Sequence, residues 1–181
     1  MKKSDINPSP EDFERYINYF ERYINLVDDI ELLNAFDISI KQLNHLNKNV
    51  LTKLGDKSYL PDKWTVKEIF QHIVDWERIL AQRTLLFARK VVSVSQNIDE
   101  NLLAANMKAE KRTIDDLIEE LKNTRLSTRA MFASFDDDTL LSTGTSWNYE
   151  MSVSAMGFMI IGHQKHHLKI IEEKYFPLIE D

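Results

Sequence analysis

The chain has 181 residues, 43% of them apolar, which is enough to bury a substantial core within one domain. A formal net charge of −6, with no basic cluster longer than Lys2-Lys3 or Lys111-Arg112, argues against a nucleic-acid surface. There is no cysteine, so disulfides, thiolate metal sites and a cysteine nucleophile are excluded, and any thiol in the chemistry must arrive with a ligand.

Only four glycines and four prolines punctuate long stretches of Leu, Ile, Glu, Lys and Asn, so the expected class is all-α. No signal-peptide core follows the N-terminal lysines, and the longest apolar stretch, Met156 to Ile161, is far too short to span a membrane. A cytoplasmic location follows as the expectation, with neither a membrane nor a nucleic-acid partner.

Residues 1 to 10 carry two prolines and no periodicity and read as an extended or mobile arm. An aromatic-rich segment from Phe13 to Tyr23 follows and is expected to pack on the body of the protein. Apolar residues at Leu33, Phe36, Ile40, Leu43, Leu46, Val50, Leu51 and Leu54 keep helical spacing, so a first helix is predicted from Ile30 to Leu54, ended by Gly55.

Thr65 and Glu68 form a capping-box pattern that opens a second helix, with a buried stripe of Val66, Ile69, Ile73, Trp76, Leu80 and Phe87 and an end near Lys90. A linker from Val91 to Asn97 and a short turn near Asp99 to Ala105 come next. Thr113 and Asp116 cap a third helix running through Leu117, Leu121, Met131 and Phe132 to about Phe135. Asp136 to Asp138 read as solvated loop charge that could cap a short turn, and Thr143 to Asn148 as a loop.

A fourth helix starts at Ser152 or Ser154 and runs to Tyr175, before Pro177. Its first half is apolar nearly all round, and Gly162 faces away from the main stripe, where another segment could approach its backbone. The folded-back arm or a second subunit would supply that cover.

Three histidines stand out. On a wheel of ~100° per residue, His163 and His167 fall within about 80° and 40° of the centre of the fourth helix's stripe, while His166 lies roughly 140° away and points outward. His72 sits about 70° from the centre of the second helix's stripe, next to Ile69 and Trp76. An inward pair four residues apart, facing a third imidazole on a neighbouring helix, can close on a divalent transition metal and leave positions open. A pair of core histidines satisfied by packing is the alternative on this pattern alone. His45 has no comparable partner and reads as an ordinary histidine of the first helix.

Two blocks carry a resemblance. Lys63-Trp-Thr-Val-Lys-Glu-Ile-Phe-Gln-His72-Ile-Val-Asp75-Trp-Glu77-Arg78, continuing to Arg83 and Phe87-Ala-Arg89, is similar to the second-helix motif of the DinB/YfiT-like superfamily of four-helix proteins. Val153 to Ile170, containing Gly162-His163-Gln-Lys-His166-His167, and on to Glu173-Lys-Tyr175, resembles its C-terminal motif. Ala104-Ala-Asn106 and the Thr143-Gly-Thr loop also fall where that family has similar residues.

The resemblance implies an up-and-down four-helix bundle over residues 30–176, with an N-terminal arm and short helix over 1–29 and a tail over 177–181. It implies a metal triad of His72, His163 and His167, the set the wheel selects. The family often has a glutamate directly after the first of the C-terminal histidines; Gln164 stands there in this chain.

Three neutral imidazoles leave the metal's charge uncompensated, which makes a bound water or thiol acidic. Zinc is the first choice, with nickel or iron also suited to imidazole ligands. The implied activity is a metal-dependent one on a small-molecule substrate, either thiol S-transfer with a low-molecular-weight thiol or hydrolysis. The competing reading is a structural metal in a binding module. Asp75 and Glu77 are the nearest acid/base candidates, but they differ by about 160° on the wheel, so at most one faces the site. Arg83 lies ~16 Å along the helix from His72 and is expected to pair with a carboxylate rather than reach the site. Family habit adds a possible homodimer.

Overall fold

The computed structural model describes residues 1–6, 21–146 and 149–179. Its long helices are α1 (Leu32–Asn44), α3 (Val66–Ala88), α5 (Ile114–Ala133) and α7 (Val153–Ile170). Shorter ones, α2 (Lys48–Leu54), α4 (Glu100–Ala105) and α6 (Asp137–Leu141), lie in the connections. A hairpin of β1 (Thr143–Ser146) and β2 (Tyr149–Ser152) precedes α7.

The four-helix bundle expected from the sequence is the fold. Each of α1 and α3 packs on both α5 and α7, so α1 faces α3, and α5 faces α7, across the core. Two of the three connections, α1 to α3 and α5 to α7, therefore cross the bundle diagonally, and α2, α6 and the hairpin lie in them, while α4 lies in the connection between the neighbours α3 and α5.

Local chemistry sets the helix starts. Thr65 and Glu68 form the expected reciprocal box, Glu68 N donating to Thr65 Oγ1 at 3.2 Å and Thr65 N to Glu68 Oε2 at 2.6 Å. Thr113 accepts from Asp116 N, and Ser152 rather than Ser154 caps α7 by accepting from Ala155 N. Asp136 caps α6 and Asp99 caps α4 in the same way.

The first predicted helix is broken in two. His45 closes α1, its Nδ1 bonded to the Lys41 carbonyl, and Asn47 caps α2 by accepting from Val50 N. An Asx side chain offers the backbone a competing partner, and the apolar spacing that runs on through both pieces hides the break. The fourth helix keeps α geometry to Ile170 and then widens into a π-helical turn at Ile171–Tyr175 and a 3-10 turn at Phe176–Ile179. Pro177, which has no N–H to continue the ladder, lies in the last of these.

The stretch read as a loop is the hairpin, its strands in register Thr143↔Ser152 to Ser146↔Tyr149, with Trp147 and Asn148 outside the described residues. Gly144 is needed there, because a Cβ would meet the Phe87 ring at 2.2 Å. The linker after α3 is ordered against this hairpin, Ser95 N donating to Thr145 O and Thr145 N to Ser93 O.

Of the arm expected over residues 1–10, residues 7–10 lie outside the described residues, and the first six, which include a 3-10 turn at Lys3–Asp5, are tied down. Lys2 bridges Glu31, Leu32 N donates to Met1 O, the terminal ammonium pairs with Glu31, and Met1 and Ile6 pack against the core. Of the aromatic segment expected to pack on the bundle, residues 13–20 lie outside the described residues, and Tyr23 is buried on α7. The Tyr23 carbonyl would lie 1.9 Å from a Cβ at residue 162, so the N-terminal segment is what needs Gly162. Every residue from Val153 to Gln164 is buried by the chain itself, which accounts for the all-round apolar start of α7 without a partner.

The apolar core falls into two clusters. One gathers Leu32, Phe36, Leu80, Phe87, Phe132 and the start of α7; the other gathers Leu43, Leu51, Phe70, Ile73, Leu117, Leu121, Leu168 and Tyr175. Between them lies a layer of buried polar side chains, Ser39, Glu77, Arg125 and Gln164, one from each long helix.

Candidate metal site

His72 lies on the inner side of α3, and His163 and His167 succeed each other by one turn on α7, the helix packed beside it. All three are buried. Their Nε2 atoms turn toward a common point: His163 Nε2 is 3.1 Å from His72 Nε2 and 3.1 Å from His167 Nε2, and the three ligand atoms lie within 4.8 Å of one another. Trp64 packs against His72 with ring centroids 4.5 Å apart and planes tilted by 44°, and Tyr23 meets His163 edge-on at 5.4 Å.

Burial sets the protonation state. It pushes His72 down from an ordinary 6.5 to about 4, with His166 adding to the shift. His163 is held well below its ordinary value by burial and then by His167 and His72, and His167 by burial and then by His72. Three uncharged rings thus face one another through their Nε2 atoms at neutral pH. A tetrahedral ion with metal–nitrogen bonds of ~2.0–2.1 Å spaces its ligands by roughly 3.3 Å, so the observed separations fit a single ion.

His166 is half-buried and turned to Tyr23 and the back of His167, outside the convergent set. His45 is exposed at the end of α1. Asp75 accepts from Gln71 Nε2 at 2.9 Å, and Arg112 holds Gln71 in turn; partial burial raises the Asp75 pKa. Glu77 turns into the core, where both of its oxygens accept from Arg125 at 2.8 Å.

The carboxylate that does approach the cluster is Glu100, at the first position of α4, with Oε1 3.9 Å from His72 Nε2 and about half of its side chain exposed. Sequence reasoning missed it. The Asp99 cap marks the start of that helix, but only the fold brings it over α3. Arg83 is buried beneath Trp76, away from the three histidines, and donates to Ser146 Oγ and Gln96 O.

Gln164 faces α1. Its Nε2 donates to Ser39 O at 3.2 Å and to Gln42 Oε1 at 3.3 Å. The Ser39 carbonyl can only accept, so an amide, which donates to it, suits the position.

A cavity of about 250 Å³ opens on His167, walled by Tyr59, Trp64, Ile69, Ile170 and Tyr175, with Asp62 and Lys63 at its edge. Tyr175 spends its hydroxyl on the Trp64 carbonyl and so offers the cavity its ring. A larger groove of about 730 Å³, between α3 and α5, is lined by Arg78, Arg112 and Glu120 and contains none of the three histidines.

The sequence pattern of the DinB superfamily matches residues 35–171, which include the three histidines and all four long helices but for the first residues of α1. None of the curated proteins matches the sequence. Among solved structures, the chain is similar to YfiT from Bacillus subtilis, described as a probable metal-dependent hydrolase with an unusual four-helix bundle topology. That likeness has a TM-score of 0.67 at 14% identity and covers 95% of this chain and 93% of YfiT.

Proposed function

Because the chain belongs to the DinB superfamily and turns three buried imidazole nitrogens toward one point, we propose that it is a metal-dependent enzyme that hydrolyses a small-molecule substrate, with His72, His163 and His167 as the ligands. The observation that carries this reading is the convergence of three buried Nε2 atoms, two pairs of them 3.1 Å apart, at a spacing that one tetrahedral cation would also impose. A divalent ion bound there supplies Lewis-acid activation of a nucleophile at neutral pH. Zinc is the first choice, and nickel or iron also suits imidazole.

The protein's own groups divide the remaining work. Burial keeps the three rings uncharged at neutral pH, and their positions on α3 and α7 turn the Nε2 atoms inward. Glu100, beside His72 yet open to solvent, orients the entering nucleophile, takes its proton and returns it to bulk water. Tyr59, Trp64 and Tyr175 give the cavity at His167 aromatic walls that receive the apolar body of a substrate and exclude water.

Glu100 would serve either nucleophile, since a thiol as well as water gives up a proton on activation. What favours water is the description of YfiT as a probable metal-dependent hydrolase. In a thiol-transfer reaction the thiol would enter as co-substrate, this chain having no cysteine.

The test begins with metal content. Purified protein should carry close to one divalent ion per chain, and His163→Ala should carry none. The metal-replete protein is then assayed on small ester, amide and lactone substrates, and in parallel on thiol-plus-electrophile pairs. Glu100→Gln should lower kcat of hydrolysis by ~10²–10⁴-fold while metal content stays unchanged. Turnover only in the thiol assay would replace water by thiol as the nucleophile, and absence of metal from the wild-type protein would overturn the reading altogether.

A further inference from the structure

Arg125 is a guanidinium in the middle of a bundle, on a helix that carries no histidine, and it is completely buried. On α5 it continues the apolar stripe Leu117–Leu121 at a spacing of four, where the pattern calls for a hydrocarbon. Its donors reach the other three long helices. Nε and Nη2 grip both oxygens of Glu77 on α3 at 2.8 Å, Nη1 donates to Ser39 Oγ on α1 at 2.7 Å, and Nη2 reaches the Ile160 carbonyl on α7 at 3.4 Å. Ser39 passes the connection on, its carbonyl accepting from Gln164 Nε2 at 3.2 Å.

Two of those contacts fall beside the metal ligands. Glu77 is five residues beyond His72, and Ile160 three before His163. The ligands are divided between α3 and α7, so the site exists only when those two helices hold one axial register. The apolar clusters on either side are poor at enforcing that register, because hydrophobic contact is non-directional and rows of Leu, Ile and Phe tolerate sliding. A bidentate guanidinium–carboxylate pair does not: a slip of one turn, ~5.4 Å, would break every bond Arg125 makes and carry His72 out of reach of His163.

We propose that Arg125 is the positioning residue of the histidine cluster, a hub that fixes α3 against α7 through Glu77 and the Ile160 carbonyl and so presets the spacing of His72 and His163. This rests on the metal-site reading for its consequence, tighter divalent-ion binding, but the spacing itself belongs to the metal-free protein. Replacing a buried ion pair by apolar groups of similar volume is often neutral or stabilising, so removal of the hub separates positioning from stability.

The experiment uses the full chain as wild type, as the double variant Arg125→Met with Glu77→Leu, and as Arg125→Lys, which keeps the charge but not the fork. Thermal unfolding, zinc affinity by competition with a chromophoric chelator, and, in metal-free protein, the NMR cross-relaxation between the His72 and His163 ring protons are measured for each. The expected result is a double variant that melts within a few degrees of wild type, binds zinc ~10–100-fold more weakly, and loses the His72–His163 cross-peak. Equal zinc affinity with the cross-peak retained would overturn the hub and leave the metal reading intact. Should the wild type bind no zinc, the metal reading fails, and the cross-peak alone decides: its loss in the variants supports the hub and its persistence refutes it. If the double variant does not fold, Arg125→Lys decides by the same measurements.

Discussion

His72, His163 and His167 sit where a charged ring is disfavoured, and that ties stability to pH. In the unfolded chain each titrates near 6.5; in the folded, metal-free protein His72 resists protonation until about 4, and the other two are also held well below 6.5. Between those limits the unfolded state binds more protons, so folding is fully supported above pH 6.5 and loses stability as pH falls toward 4. For His72 alone the loss amounts to roughly 3 kcal/mol across the window. Urea unfolding of chelator-treated protein at pH 7, 6 and 5 should show this decline, and His72→Gln should flatten it; a profile that is level from 7 to 5 would mean that the rings are hydrated. The inward direction of His163 and His167 was legible in the sequence because a helix has a fixed period and the apolar stripe marks the inside. Glu100 was not, since its approach to His72 depends on how a six-residue helix lies over α3, which no periodicity encodes.

The N-terminal segment and α7 meet at Gly162, and their contact shows how an element carrying ligands is held in place. The Tyr23 backbone passes where a Cβ at residue 162 would lie, 1.9 Å from the carbonyl oxygen, and Lys165 on the same helix donates to Leu26 O. Gly162→Ala therefore cannot be absorbed by rotating a side chain; residues 21–27 must lift from α7, exposing Tyr23 and Val27, which are buried there. The expected cost is about 1–3 kcal/mol by chemical denaturation, with faster proteolysis of the N-terminal segment. Unchanged stability and protease resistance would show that the contact is loose. The sequence already singled out Gly162 as a place of close approach, and the structure identifies the approaching segment. The starts of α3, α5 and α7 were equally legible, because a capping side chain and its partner lie three residues apart. The break between α1 and α2 was hidden by apolar spacing that continues through it, and the hairpin by strands of four residues, too short for alternation to register.

At the scale of the whole molecule, two polar centres tie the bundle together in different ways. The Arg125 layer reaches all four long helices, whereas the three histidines join only α3 and α7, which already pack on each other. The layer's signature was present in the sequence as Ser39, Glu77, Arg125 and Gln164 at or beside core positions of four separate stripes, but a single chain does not say which of them meet. A cation at the histidines thus adds one cross-link between neighbours, in contrast to small domains that are unfolded without metal. Chelation should leave the helical circular dichroism unchanged. Restoring metal at a free concentration ~100 times its Kd should stabilise the fold by about 2.7 kcal/mol. For a chain of this size that corresponds to a rise in Tm of ~5–10 °C, absent in His163→Ala. Loss of helicity on chelation would reverse the conclusion, giving the metal a structural role and making the protein a metal-stapled binding module.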